Sequence, residues 1–235
     1  MIPPEQVETV EDFTPFGIRA FTTTRLAGSF STGSDEPARA VMSRWDALRA
    51  TAADRGVRRL ATGAQVHGAR VVVHVPGWEG WLRGTEADGH VATQRGTALA
   101  VSIADCVPVF IAHPSGAVAA LHSGWRGTAA RIVEQGIAAL SHRGFPVAEL
   151  RMHLGPAICG RCYEVSAEVA QQLTSEPATT PRLVDLRALI ASHARANGVR
   201  HITLSPSCTR CDNTRFFSHR AGDRGRQIGV IFAEQ

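Results

Sequence analysis

The chain has 235 residues, of which 44% are hydrophobic and 20% charged, and a formal net charge of +4. This balance excludes a disordered or fibrous chain, and so modest a charge gives no argument for nucleic-acid binding. All 25 basic residues are arginine, which excludes chemistry that needs a lysine, such as a Schiff base, a pyridoxal phosphate linkage or a P-loop.

The N-terminal part begins with a predicted strand, a loop and a helix. Residues 18–24 suit a short strand, and residues 26–37 are rich in Gly, Ser and Thr, which is typical of a loop. Residues 37–54 carry apolar side chains such as Val41 and Trp45 at helical spacing, which predicts a helix.

Apolar runs dominate the middle of the chain. They cover residues 71–75, 98–104, 107–112 and 117–121. Near-continuous apolar strands are usually covered on both faces, so we expect a buried sheet. Residues 128–142 form the strongest predicted helix, because apolar side chains recur at helical spacing and Gly144 provides a stop.

Short strands and helices alternate in the C-terminal part. We predict strands at 152–154, 201–204 and 228–232, helices at 166–173 and 186–197, and a Pro- and Thr-rich loop at 176–181. No period of roughly 20–50 residues repeats, and no low-complexity linker divides the chain. We therefore predict one α+β domain over residues 1–235, with a mixed β-sheet inside and helices outside.

Cysteine usage and apolar segments bear on the compartment. The five cysteines are an odd number, and the first residues lack the apolar stretch of a secretory signal. The longest apolar stretch, residues 97–112, contains Asp105 and is shorter than the ~20 residues that span a bilayer. We therefore expect a cytoplasmic protein without a membrane segment.

Three residues at the ends of predicted strands suit a metal ion. Cys106 precedes one strand, His122 ends another, and His67 lies shortly before a third. Imidazole nitrogen and thiolate sulfur bind zinc, and three protein ligands leave a fourth position for water or substrate. The three are far apart in sequence, so only the fold can bring them together. A buried apolar cysteine and two ordinary loop histidines are the alternative.

Five motifs occur in a fixed order along the chain. They are Gln65-Val66-His67-Gly68, Ala104-Asp105-Cys106-Val107-Pro108-Val109, His122-Ser123-Gly124-Trp125-Arg126-Gly127, Gly155-Pro156-Ala157-Ile158 with Tyr163-Glu164-Val165, and Cys208-Thr209 with Phe216-Phe217-Ser218. Together they resemble the motifs of the laccase-domain purine nucleoside phosphorylase family, some of whose members are described as peptidoglycan editing factors. The resemblance extends from about residue 21 to residue 232.

The resemblance implies a zinc site formed by His67, Cys106 and His122 in a compact α/β sandwich. It also implies phosphorolysis of adenosine, inosine and S-methyl-5'-thioadenosine, with adenosine deamination as a further activity. Purine nucleosides and phosphate are then the expected partners. Copper is the weaker assignment, because the chain lacks the His-x-His pairs on which a multicopper oxidase relies.

The chain departs from the family pattern near the expected phosphate ligands. Residues 23–30 replace a glycine-rich stretch of the family, and Ser43-Arg44 stands where the family has Asn-Arg. We predict Arg44, with Arg25 or Arg126, as phosphate ligands, since a guanidinium binds phosphate in a bidentate way. Arg126 has the alternative of tying its own loop to a carboxylate. Asp105 is either a partner that fixes a histidine tautomer or a residue of the turn.

Two other functions use the same residues. In a cysteine hydrolase or amidase that edits cell-wall precursors, Cys106 is the nucleophile and His122 its base. In a non-enzymatic partner protein stabilised by zinc, metal removal unfolds the chain and no nucleoside is converted. Chelation separates these hypotheses, because it abolishes a zinc enzyme and spares a thiol enzyme.

Two features remain outside these hypotheses. The pairs Cys159 with Cys162 and Cys208 with Cys211 form either a four-cysteine metal site, a redox pair or loop thiols packed near one another. Residues 210–226 contain five arginines and two phenylalanines, and we expect a solvated basic loop rather than a nucleic-acid surface.

Overall fold

Two six-stranded β-sheets lie face to face between helices in the computed structural model, which describes residues 3–235. The strands are β1 (Val7–Thr9), β2 (Ile18–Thr23), β3 (Arg59–Gly63), β4 (Val71–His74), β5 (Gly80–Gly84), β6 (Gly89–Ala92), β7 (Thr97–Ile103), β8 (Val107–Ala112), β9 (Val118–Ser123), β10 (Arg151–Leu154), β11 (Glu164–Val165), β12 (Arg182–Leu183), β13 (His201–Leu204) and β14 (Gln227–Ala233). The helices are α1 (Ala38–Ala53), α2 (Trp125–Ala129), α3 (Ile132–Ser141), α4 (Ala167–Thr174) and α5 (Leu186–Ala196).

Both large sheets are mixed. The first has the order β1-β2-β14-β7-β3-β5, and the second has the order β13-β10-β8-β9-β6-β4. In the first sheet β3 runs parallel to its neighbours β5 and β7, whereas β14 is antiparallel to β2 and β7. The predicted mixed α/β architecture with helices outside is confirmed, and the sheet is divided in two.

The central strands are apolar on both faces because each face is covered by a different layer. In β7, Leu99 and Val101 point into the core between the sheets, while Ala98 and Ala100 pack with α1. In β8 and β9, alternate residues face the other sheet or the helices α3 and α5. A period of two along a strand therefore places successive apolar residues in two cores, which explains the continuous apolar runs.

The helix predicted over residues 128–142 is wrong as a single helix. It is divided into α2 and α3 at Arg131, whose φ of 62° lies in the left-handed region. Helical spacing of apolar residues continues across this break, so the pattern did not reveal it. The sequence also did not predict several strands that are short or rich in glycine, among them β3, β5 and β6.

The fold brings three chain segments to one end of the sandwich. The loop that follows β3 leaves the first sheet, the connection between β7 and β8 crosses from the first sheet to the second, and β9 ends beside that connection. Within residues 3–235, no helix has the length and apolarity needed to cross a membrane.

Candidate functional site

The three predicted metal ligands come together where these segments meet. One ligand atom from each of His67, Cys106 and His122 lies within 4.8 Å of the others, and the two imidazole centroids are 4.9 Å apart. His122 is buried, Cys106 is partly buried and His67 is exposed, so the cluster opens to one side. Two imidazole nitrogens and a thiolate at this separation suit a single zinc ion with one open position.

A buried carboxylate positions both histidines. Asp88 accepts backbone N–H bonds from Val66 (3.1 Å), His67 (3.0 Å) and Gly68 (2.8 Å), and also the Nδ1–H of His122 (2.8 Å). His67 has a φ of 61°, and this left-handed residue allows three successive N–H groups to converge on one anion. Asp88 thereby fixes the tautomer of His122 and leaves its Nε2 for a metal or a proton.

No sequence motif indicated the role of Asp88. The residue lies 34 positions from His122 and 21 from His67, in no local motif with either. Burial raises the pKa of its carboxyl, but bonds from His122 and from the backbone of Gly68 and Val66 outweigh burial and lower that pKa below its usual range. The carboxylate is therefore anionic at neutral pH.

The pKa values of Cys106 and His122 shift in opposite directions because each side chain acts on the other. Burial raises the pKa of Cys106, but His122 and His67 outweigh burial and lower it to about 6. Burial lowers the pKa of His122, but the Cys106 thiolate and Asp88 raise it to about 9. Cys106 is thus a thiolate at neutral pH, which is the form that binds metal or attacks a substrate.

Gly124 provides the space in which the ligands meet. A Cβ built at this position would lie 2.8 Å from Sγ of Cys106 and 3.5 Å from Cδ2 of His67. A side chain here would therefore displace the Cys106 sulfur and contact the His67 ring. The φ of Gly124 is −81°, which any residue can adopt. The glycine is therefore needed for the space it leaves and not for its backbone conformation.

The cluster lies in the wall of a cavity of about 340 Å³. Arg83, Arg226 and His219 line the same cavity. Gln65 also lines it, and its side-chain amide pairs with both the N–H (2.7 Å) and the C=O (2.8 Å) of Ser102. A neighbouring cavity of about 330 Å³ shares several of these lining residues. Its remaining wall includes three aromatic side chains, those of Phe30, Trp45 and Trp81.

None of the three predicted phosphate-binding arginines lines the cavity with the cluster. Arg25 pairs with Asp223 at 2.6 Å, and Arg44 pairs with Glu36 and the carbonyl of Ser29. The guanidinium of Arg126 lies 4.4 Å above the ring of Trp125 on the surface. Arg25 and Arg44 have carboxylate partners, so each already has its charge compensated.

Arg83 and Arg226 are the arginines that the cavity contains. Among residues 3–235, neither forms an ion pair with a carboxylate, and Arg226 donates to the carbonyls of Asp223 and Gly225. Both are therefore available to an anion. Arg226 lies in the segment expected to be a solvated basic loop, and Arg83 lies on a strand that the sequence did not predict.

Asp105 holds a loop rather than a histidine. Its carboxylate accepts the hydroxyl of Thr209 at 2.6 Å and the backbone N–H of Arg220 at 2.7 Å. Its φ of 82° turns the chain sharply just before Cys106. Of the two alternatives for Asp105, the turn residue is correct, and Asp88 is the residue that fixes the histidine tautomer.

Comparison with known proteins gives consistent matches. Residues 20–234 match the family described as multi-copper polyphenol oxidoreductase laccase. A purine nucleoside phosphorylase of Mycobacterium bovis is 36% identical over 92% of each chain. The adenosine deaminase RL5 of an unknown prokaryotic organism is 34% identical over 66% of this chain and 67% of its own. The crystal structure of a Neisseria meningitidis protein superposes with a TM-score of 0.84 at 26% identity, covering 98% of this chain and 100% of the other.

Proposed function

This chain belongs to the multi-copper polyphenol oxidoreductase laccase family, and we propose that it is a zinc-dependent purine nucleoside phosphorylase. The observation that carries the proposal is the cluster of His67, Cys106 and His122 in the wall of a cavity that also contains two arginines with no carboxylate partner among residues 3–235. Relatives named as purine nucleoside phosphorylases support the substrate class. We propose adenosine, inosine and S-methyl-5'-thioadenosine as substrates.

Zinc is a better fit to the cluster than the copper of the family description. Within residues 3–235, the groups of three or more suitable ligands are this cluster and a set of four cysteines. A multicopper oxidase needs many more histidines around several ions, whereas two imidazoles and one thiolate match a catalytic zinc site. When bound, zinc supplies a Lewis acid with an open position for an oxygen ligand.

The residues around the cluster have separate roles in the proposed reaction. Arg83 and Arg226 bind phosphate, and the aromatic wall of the neighbouring cavity accepts the purine. A phosphate oxygen forms a bond to C1′ of the ribose as the bond from C1′ to the purine nitrogen breaks. The products are ribose-1-phosphate and the free base. The proton that the attacking phosphate gives up passes to the departing base, and His219 lies at the wall of the same cavity.

The test is incubation of metal-analysed protein with adenosine, with and without phosphate, followed by separation of the products. Adenine and ribose-1-phosphate that form only with phosphate support the proposal. Inosine in both incubations would instead indicate deamination, the activity named for the RL5 relative. A His122→Ala variant without metal should form neither product.

A cysteine hydrolase is the second candidate, because Asp88, His122 and Cys106 stand in the order of an acid, a base and a nucleophile. His67 discriminates between the two functions. A zinc enzyme needs His67 as a ligand and loses activity with a chelator. A thiol enzyme keeps its activity in a His67→Ala variant and is inactivated when iodoacetamide alkylates Cys106.

A further inference from the structure

The four remaining cysteines form a second cluster outside the proposed active site. Sγ atoms of Cys159, Cys162, Cys208 and Cys211 all lie within 4.8 Å of one another, and those of Cys162 and Cys211 are 3.4 Å apart. All four are free thiols, and their burial ranges from buried Cys208 to exposed Cys211. Four thiols from two separate loops rarely lie this close together unless they share a function.

The sheet explains why two pairs so distant in sequence meet. Strands β10 and β13 are parallel neighbours, with Leu154 paired to Leu204 at their ends. The chain leaves both strands at the same edge, and each Cys-x-x-Cys pair begins within a few residues of that edge. A further parallel bridge between Ala157 and Cys208 continues the alignment up to the cysteines.

We infer that this cluster is a structural zinc site in which all four thiolates bind one Zn²⁺ ion. A zinc–sulfur bond of ~2.3 Å in a tetrahedron places the sulfurs about 3.8 Å apart, which agrees with sulfurs that all lie within 4.8 Å. An iron–sulfur cluster needs a wider set of sulfurs, because several iron atoms separate them. Four protein ligands leave no open position, so the ion stabilises structure and takes no part in turnover.

The backbone around the sulfurs supports bound thiolates. Sγ of Cys208 accepts the backbone N–H groups of Cys159 at 3.2 Å and of Cys211 at 3.4 Å. Such bonds stabilise a negative sulfur. Four thiolates and one dication leave a net negative charge. Each cysteine pair encloses one arginine, Arg161 or Arg210, and these positive side chains offset part of that charge.

The site would hold together two loops that support the active-site wall. The loop with Cys208 continues into Thr209 and Arg220, which both bond the carboxylate of Asp105. The loop with Cys159 begins where the N–H of Ile158 donates to the carbonyl of Asp105 at 3.0 Å. An ion that joins the loops therefore stabilises the turn that carries Cys106, without contacting the substrate.

The metal content of the 235-residue chain tests the inference independently of the proposed function. We expect two zinc ions per chain in the wild type by mass spectrometry. One should remain in His67→Ala/His122→Ala, and one should remain in Cys162→Ser/Cys211→Ser. After that remaining ion has been removed from His67→Ala/His122→Ala with a chelator, added cobalt should give the absorption of tetrahedral cobalt bound to four thiolates.

Stability provides a second readout. Cys211→Ser should lower the melting temperature by on the order of 5–10 °C and increase hydrogen exchange in residues 155–165 and 205–222. Cys211→His, which keeps a zinc ligand, should retain the ion and most of the stability. The inference is wrong if His67→Ala/His122→Ala holds no metal, if it holds iron in place of zinc, or if its four cysteines are isolated as disulfides.

Discussion

At the scale of single residues, Asp88 has the largest influence on the candidate metal site. Its carboxylate accepts four hydrogen bonds, three from the loop that carries His67 and one from His122. No other described residue joins two of the three proposed ligands in this way. Replacing Asp88 should therefore disturb the geometry of the site although the residue is not itself a ligand.

Asp88→Asn should weaken metal binding by about 10–100-fold, which is the usual cost of losing a partner that orients a metal-binding histidine. The amide keeps the size of the side chain but loses the charge and turns an N–H₂ group towards backbone N–H donors. Competition with a chromogenic chelator measures the dissociation constant. Asp185→Asn, which changes the N-cap of α5, is the control and should leave that constant unchanged. Equal constants for the two variants would contradict the role of Asp88.

Arg226→Gln should raise the KM for phosphate about tenfold or more, with little change in the KM for the nucleoside. The reason is that Arg226 lines the cavity and has no carboxylate partner in residues 3–235. Arg224→Gln is a matched control, because Arg224 lies two positions away and pairs with Asp35 on the surface. A phosphate KM that rises equally in both variants would contradict direct phosphate binding.

The residue types explain which parts of the site the sequence revealed. His67, Cys106 and His122 are uncommon residues with metal-binding chemistry, and their positions at strand ends and in motifs made them recognisable. Asp88, Arg83 and Arg226 are common residues whose roles arise only from contacts across the fold. Arg44 and Arg25 were selected for their motifs, but the structure gives each a carboxylate partner, which a motif alone does not disclose.

At the scale of elements, the break between α2 and α3 follows the site. Helix α2 begins immediately after the segment with His122 and Gly124, and Arg131 then redirects the chain so that α3 can cover the second sheet. A residue with a Cβ in the left-handed region costs about 1 kcal/mol. The left-handed conformation of Arg131 therefore lowers the free energy of unfolding, but it gives α3 the direction in which it covers the second sheet.

Arg131→Gly should raise the free energy of unfolding by about 0.5–1 kcal/mol, because glycine adopts the φ of 62° without that cost. Urea denaturation measures the change. Arg49→Gly is a matched control, since Arg49 also pairs with an acidic residue on an exposed surface three positions away, but inside a regular helix. The control should lose about 1 kcal/mol. If Arg131→Gly were destabilised as much as Arg49→Gly, the break would carry no backbone cost.

Element prediction was accurate where one pattern dominated and failed where tertiary contacts decided. Strand β8 and strand β13 begin and end at the predicted residues, because their ends carry clear turn signals. Strand β5 begins and ends with glycine, and β6 contains a glycine and a buried histidine. They form strands because β5 pairs with β3 and β6 pairs with β4 and β9. Such pairing is a tertiary contact and cannot be predicted from local residue propensities.

At the scale of the whole molecule, the two sheets enclose a polar pair in an otherwise apolar region. His90 on β6 is completely buried, and its Nδ1 lies 3.0 Å from Nε2 of His74 on β4. The other ring nitrogen of His90 has no hydrogen-bond partner within residues 3–235. A proton on His90 would place a buried charge next to a second histidine, and the nearby Asp88 carboxylate offsets that cost only in part.

Because His90 takes up a proton more readily in the unfolded chain, the free energy of unfolding decreases as the pH is lowered. Burial and the neighbouring His74 lower the pKa of His90 to about 4, from an ordinary value near 6.5. Between these values the unfolded chain binds a proton that the folded chain does not. The contribution of His90 is therefore complete above about pH 6.5 and is lost progressively as the pH falls towards 4. Between pH 7.5 and pH 5 it amounts to on the order of 2 kcal/mol.

His90→Gln should reduce this pH dependence, because glutamine can donate to His74 and does not titrate. Urea unfolding at pH 7.5 and at pH 5 gives the difference in free energy for each protein, and that difference should be smaller by on the order of 2 kcal/mol in the variant. Carboxylates and the metal-site residues titrate in both proteins, so their effects cancel in the comparison. His201→Gln, on the surface of β13, controls for removal of a histidine as such. An unchanged difference in His90→Gln would mean that the core between the two sheets opens to water before His90 takes up its proton.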